Sequence, residues 1–391
     1  MSDAKFIYSK DLLHYKFSDE HPFNHVRVQL AYDLLKKANL LHEEDILSPR
    51  MATEDEIALV HDPEFIQAVK ASHTGLYSSE RLEGFGLGTE DTPIFPNMHE
   101  ATALIVGATL TACDVVMGNT VSHAANLAGG LHHGLRGKAS GFCIYNDCSI
   151  AIEYMKRKYG ARVLYIDTDA HHGDGIQWSF YDDPDVCTLS IHETGRYLFP
   201  GTGHVNERGH GNGYGFNFNI PLDAFTEDES WQDIYIAAME QVFNYFKPDV
   251  VITQNGADSH FYDPLTHLSL TMDSYRLIPK VAHELVHHYC DGRWIALGGG
   301  GYDIWRTVPR AWAMVWAEMS GASSDACTGL LPHEWVTEWV TKANVELPTT
   351  WEDIAPLYAP IPRKEEITEK NRMTMEKSLQ IIELIKKSKR A

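Results

Sequence analysis

Short apolar runs that stop abruptly at acidic, histidine-bearing or glycine-rich residues recur along this chain. The clearest is Val163 to Asp174, V-L-Y-I-D-T-D-A-H-H-G-D, in which four apolar residues give way to a polar cluster. A short continuous apolar run predicts a strand buried on both faces of a sheet. Similar runs predict strands over residues 5–8, 123–127, 187–192, 216–222, 249–253 and 294–297. Between them, segments of helical periodicity predict helices over 28–38, 98–117, 147–158, 231–246, 274–289 and 308–319. Thr53 followed by three acids predicts a capped helix start, and Pro63 opens another helix through Val69. Strands alternating with helices predict an α/β fold: a mainly parallel multi-stranded sheet with helices on both faces. The tail from Arg363 to Ala391 is charged, with apolar positions at Ile367, Met373, Leu379, Ile382 and Leu384. It predicts a C-terminal helical extension, residues 326–391, packed on or following a domain of residues 1–325.

Composition narrows the partners. The 391 residues are 44% apolar and 22% charged, as in ordinary globular chains, and the net charge is -21. Such a chain gains nothing from counterion release on a phosphate backbone, so no nucleic-acid partner is expected, whereas a cationic peptide is compatible. Six cysteines lack any C-x-x-C pair, and Met1-Ser2-Asp3-Ala4-Lys5 shows no basic-then-apolar signal pattern, which predicts a reduced cytoplasm. No uninterrupted apolar stretch approaches the roughly 20 residues of a membrane helix, so no membrane span is expected. Oligomeric state is not legible.

In an open α/β sheet, loops at the carboxyl ends of strands carry the chemistry. Four polar clusters follow different predicted strands: His132-His133, Asp167 to Asp174, Asp258, and Gly298 to Tyr302. Alternation along an extended chain would send Asp167, Asp169 and His171 to one side, with Asp174 behind them. Alone, D-x-D-x-H is equally an ion-pair cluster at a strand end. Joined by Asp258, the residues Asp169 and His171 offer two carboxylates and an imidazole, three ligands that leave a divalent ion room for water and substrate. Two anionic ligands roughly neutralise such an ion, so a general base is needed. His132 and His133 are the candidates, with Asp167 and Asp174 to orient them. Tyr302, after four glycines, presents a phenol able to donate to an oxyanion. Together these groups predict metal-assisted hydrolysis of an amide.

The motifs G-G-L-H-H-G at 129–134, S-G-F-C at 140–143, Y-I-D-T-D-A-H-H-G-D-G at 165–175, F-P-G-T-G at 199–203, N-G-A-D at 255–258 and G-G-G-G-Y at 298–302 occur in order. By them the chain resembles the metal-dependent histone deacetylase superfamily, and within it the bacterial acetoin-utilisation deacetylases. The resemblance implies an arginase/deacetylase-like fold and a zinc ion, with ferrous iron as the other choice, on Asp169, His171 and Asp258. It makes His132 and His133 the base and acid pair, backed by Asp167 and Asp174, and Tyr302 the group that polarises an acetyl carbonyl. It also implies a lysine channel walled by Gly141, Phe142, Phe199 and Leu265. Asp91 becomes a rim acid for the substrate backbone, aligned across a one-residue gap. A structural potassium ion is implied near Asp167 and Ser190, and Arg27 falls in an inner cavity behind the metal.

The implied activity removes acetyl from N-ε-acetyl-lysine in proteins, releasing acetate, with metabolic enzymes such as acetyl-CoA synthetase as substrates. Two alternatives share the fold: an acetylpolyamine amidohydrolase, and a binuclear manganese ureohydrolase, which would require a second cluster of acids. Gly134 and the residues after it depart from the nuclear enzymes, which argues against chromatin substrates. Phe142 and Phe199 are also readable as core aromatics, Cys143 as a buried small residue, and His42, His73 and His283 as ordinary surface or core residues.

Overall fold

Eight strands form one sheet in the computed structural model, which describes residues 3–354, 356–359 and 361–388. The expectations for Met1-Ser2 and for the last three residues of the tail lie outside the described residues. The strands are β1 (Ala4–Ile7), β2 (Ile46–Leu47), β3 (His123–Asn126), β4 (Val163–Asp167), β5 (Val186–Glu193), β6 (Asn217–Leu222), β7 (Val250–Gln254) and β8 (Trp294–Leu297). Every pairing is parallel, in the order β2-β1-β3-β8-β7-β4-β5-β6. β4 is buried along its whole length, as its apolar run predicts. β8, the last strand in sequence, sits mid-sheet between β3 and β7. The two-residue β2 lies at the sheet edge and is too short to leave a periodic signal.

The long helices are α1 (Val26–Lys37), α2 (Met98–Met117), α3 (Asp147–Tyr159), α4 (Asp228–Phe246), α5 (Met272–Tyr289), α6 (Val308–Met319) and α7 (Lys364–Ser388). α2 and α3 pack together on one face of the sheet. α1, α6, α5 and α4 lie side by side on the other, and α7 follows against α4 and β6. By length and composition alone α2, with 20 residues, is apolar enough to cross a membrane, yet 72% of its most apolar window is buried inside this fold. Its near-uniform hydrophobicity reflects a helix pressed between the sheet and α3, buried on most sides.

The chain beyond residue 325 is tied to the body by buried polar contacts. Trp335 Nε1–H donates to the Leu30 carbonyl at 3.1 Å. Arg310 donates to Asp353 Oδ1 at 2.8 Å, and Asp353 Oδ2 meets His260 Nε2 at 2.9 Å and accepts the Met272 N–H at 2.8 Å. On α7, Leu379, Ile381 and Ile382 are buried, and Asn371 accepts the Asp223 N–H at 3.0 Å.

Candidate active site

Asn126, Leu297, Gln254, Asp167 and Ser190 are successive cross-strand partners, so the carboxyl ends of β3, β8, β7 and β4 stand in one row beside Ser190 of β5. The loops leaving that row carry the histidine pair, the glycine run, Asp258 and the Asp169 segment, which brings distant parts of the chain together. Alternation predicts the direction of Asp169 and His171, but the structure achieves it differently, because β4 ends at Asp167. Beyond it, Asp167 Oδ1 accepts the Asp169 N–H at 3.1 Å, and Asp169 Oδ1 accepts the His171 N–H at 3.0 Å. Short acids that bind the N–H two residues on make a tight turn, and this turn delivers both side chains.

Asp169, His171 and Asp258 are all buried, and their ligand atoms lie within 4.8 Å of one another. His171 Nδ1 is 3.0 Å from Asp258 Oδ2 and 3.2 Å from Asp169 Oδ1. Burial, and then the neighbouring Asp169 charge, push Asp258 up to about 7. Against the effect of burial, the two carboxylates hold His171 well above the ordinary histidine range. Paired acids out of water demand positive charge. A divalent ion meets that demand with two oxygen donors and one nitrogen, so the donor set fits one. Other contacts orient these ligands: Asp169 Oδ2 accepts the Gly300 N–H and the Gln254 amide, both at 2.7 Å, and Asp258 Oδ1 accepts the Ala170 N–H at 2.8 Å. A Cβ at Gly300 would stand 2.1 Å from Asp258 Oδ2, which explains a glycine there.

The two histidines stand beside this cluster with rings 4.0 Å apart. His132 Nδ1 meets Asp167 Oδ2 at 2.7 Å, and His133 Nδ1 meets Asp174 Oδ1 at 2.7 Å. A carboxylate at Nδ1 fixes the tautomer and leaves Nε2 for chemistry. The two imidazoles titrate in opposite directions. For His132, burial is outweighed by Asp167 and Asp169, which carry it up to about 9. For His133, burial and then the charge of His132 hold it below the ordinary value. Tyr302 lies edge-on to His171 at 6.2 Å and to Phe142 at 5.7 Å. Burial, then Asp258 and Asp169, raise its phenol well above 10, so it keeps its proton and remains a donor.

At the entrance, Phe199 is 45% exposed and meets the His133 ring edge-on at 5.0 Å, so it is not a core aromatic. Phe142 is half-buried, and it adopts φ +65° after Gly141 at +54°. A Cβ on Gly141 would come within 2.3 Å of the His133 ring. Asp91 Oδ2 accepts the Gly141 N–H at 2.7 Å, and the Tyr15 hydroxyl donates to the Phe142 carbonyl at 2.6 Å, so these two side chains hold the turn. Leu265 is half-buried on the loop after Asp258, its N–H held by Asp263 at 2.9 Å. Ser190, the cross-strand neighbour of Asp167, has its hydroxyl 2.8 Å from His192 Nδ1. Arg27 is buried beside the site: it donates to the Gly301 carbonyl at 3.1 Å and lies over the Phe23 ring at 4.0 Å. A cavity of about 500 Å³ opens beside Tyr302, with His21, Tyr262, Arg306 and Lys342 among its lining.

Four supporting residues have no role assigned by the motifs. Tyr165 donates to Asp167 Oδ2 at 2.8 Å, and Asp263 Oδ2 accepts the Tyr302 N–H at 2.8 Å. Tyr15 and Gln254 act as described above. Tyr165 and Gln254 stand within or next to quoted motifs, where proximity is a hint; Tyr15 and Asp263 reach the site only through the fold.

Comparison with known proteins finds relatives over nearly the whole chain. Residues 21–319 match the family described as Histone deacetylase domain. The acetoin utilization protein AcuC of Bacillus subtilis (strain 168) is 60% identical over 382 residues, covering 98% of each chain. The Staphylococcus xylosus AcuC is 45% identical over 374 residues, covering 96% of this chain and 97% of its own. Among solved structures, a histone deacetylase homologue complexed with SAHA superposes with a TM-score of 0.82 at 29% identity, covering 94% of this chain and 99% of its own. A homologue from Aquifex aeolicus gives 0.81 at 28% identity, with the same coverage.

Proposed function

Because this chain belongs to the histone deacetylase family, whose members are metal-dependent hydrolases, and acts as a deacetylase, we propose that it removes acetyl from N-ε-acetyl-lysine in proteins with zinc as its metal. One observation carries the proposal: a protonated phenol and two carboxylate-backed imidazoles converge on a single Asp169/His171/Asp258 cluster. Those three residues would hold the ion, which when bound polarises the acetyl carbonyl and acidifies a water.

The chain's own groups do the rest. Neutral His133, with Nδ1 engaged by Asp174, takes the proton of the attacking water at Nε2 as oxygen bonds to the acetyl carbon. Charged His132, backed by Asp167, stabilises the developing negative charge. Tyr302 donates its hydroxyl to the oxyanion. When the C–N bond breaks, the histidine pair returns a proton to the departing lysine amine, and acetate leaves. Gly141, Phe142, Phe199 and Leu265 would wall the passage for the lysine methylenes. Asp91 Oδ1 would serve the substrate backbone while Oδ2 holds Gly141. The open cavity beside Tyr302 supports an extended peptide as substrate.

The proposal extends to a potassium ion near Asp167 and Ser190, to acetylated metabolic enzymes such as acetyl-CoA synthetase as cytoplasmic targets, and to no role for nucleic acid or membrane. It treats residues 326–391 as an extension that braces a catalytic domain of residues 1–325. The test is acetate release by metal-stripped, zinc-reloaded protein from an acetyl-lysine peptide and an acetylated polyamine in parallel. Preference for the peptide supports the proposal; preference for the polyamine overturns its substrate.

A further inference from the structure

Three imidazoles meet at the end of the sheet away from the catalytic row. His123 opens β3 at its amino end, and His283 and His287 stand one turn apart on α5. His287 Nε2 lies 3.3 Å from His123 Nε2 and 3.0 Å from His283 Nε2. A nitrogen of a neutral imidazole carries either one proton or one in-plane lone pair. His287 Nε2 therefore cannot donate to one neighbour and accept from the other, so a single proton or lone pair has to be shared between the two contacts. A cation between the nitrogens would use all three lone pairs.

The tautomer of one ring is already set for that. His283 Nδ1 lies 3.1 Å from Glu318 Oε1, and Glu318 Oε2 is fixed by the Ser324 N–H at 2.8 Å and hydroxyl at 3.0 Å. The carboxylate takes the Nδ1–H and leaves the Nε2 lone pair facing the cluster, the usual support for a metal-bound histidine. The rings are also braced: His283 stacks on Trp294 at 5.9 Å, and His123 meets the same indole edge-on at 5.7 Å. His123 is buried, His283 half-buried and His287 exposed, so the cluster is closed on one side and open to solvent on the other. The three ligand atoms lie within 4.8 Å of one another.

We propose that His123, His283 and His287 form a second metal site for a late first-row divalent ion such as zinc, with an open position toward solvent. It is distinct from the Asp169/His171/Asp258 centre, from which the length of a strand, on the order of 15 Å, separates it. Its ligands come from β3 and α5, so the ion clips the amino edge of the sheet to the helix layer.

The test uses the full chain without a polyhistidine tag, stripped by chelator, reloaded with zinc and passed through gel filtration before elemental analysis. The unmodified chain should retain two equivalents. His287→Ala should retain one, with deacetylation unchanged. Asp258→Asn should retain one, falling to none when combined with His287→Ala, and zinc should raise the thermal midpoint of Asp258→Asn but not of the double variant. A single equivalent in both the unmodified chain and His287→Ala overturns the proposal, as does a second equivalent that survives His287→Ala. His287 is exposed and its loss leaves the core intact, so this pair of proteins decides the matter even if the Asp258 variants fail to fold. Loss of the catalytic equivalent alone would count against the zinc deacetylase proposal, not against this one.

Discussion

Tyr302 donates only when negative charge develops on the substrate, so its hydroxyl acts on the barrier and not on the ligand set. Tyr302→Phe should lower kcat about 100-fold or more while leaving metal content unchanged; elemental analysis beside acetate release separates the two. His133 must be neutral to accept a proton, and burial together with charged His132 holds it below the ordinary value of 6.5. A base with a depressed value is active above that value and lost below it, so the acidic limb of kcat/KM should lie under pH 6.5. An acidic limb at or above pH 7 would exclude His133 as the base. The ligands, the histidine pair and the tyrosine were legible because each stands in a short motif at a strand end. Tyr15 was not, because its links to the site are hydrogen bonds with the backbone of Phe142 and Ile144, more than a hundred residues away.

At the scale of elements, the Gly141-Phe142 turn positions one catalytic ring. Two left-handed residues in succession, with His133 packed against the missing Cβ, leave no room at Gly141. Gly141→Ala should cut turnover at least about 10-fold through displacement of His133, with zinc retained; kcat and metal content measure it. α7 is a second case, since Leu379 is buried between this helix and the body. Leu379→Ala should cost about 2–4 kcal/mol in urea unfolding with little change in KM. Long helices and buried strands were readable to within a few residues, because burial writes a strong period. The helix Ser79–Gly84 is not among the elements the pattern predicts: six residues with one buried position carry no period, and the serine cap at Ser78 is its available sign.

Across the whole molecule, buried neutral histidines link stability to pH. Burial lowers both His61 and His192 to about 4. The unfolded chain takes up these protons first, so their contribution is complete above about pH 6.5 and is lost as pH falls toward 4. Each should remove about 1.4 kcal/mol per pH unit within that window. A melting temperature that holds from pH 8 to 7 and falls steadily from pH 6.5 to 5 is expected; a flat profile would mean that these rings are solvated. The fold class was legible from the alternation of elements, but the order of strands was not, because sequence periodicity records burial and not neighbours.

That order has a consequence for the making of the protein. The strand synthesised last, β8, is the one that joins β2-β1-β3 to β7-β4-β5-β6. Until it emerges from the ribosome, the strands of the half that carries His132 and His133 have no pairing with those of the half that carries Asp169, His171 and Asp258. The loop that follows β8 then supplies Tyr302. The sheet is zipped shut from its middle, so an unfinished chain is not a slow enzyme but no enzyme at all, and catalysis begins as a single late event in the protein's biogenesis.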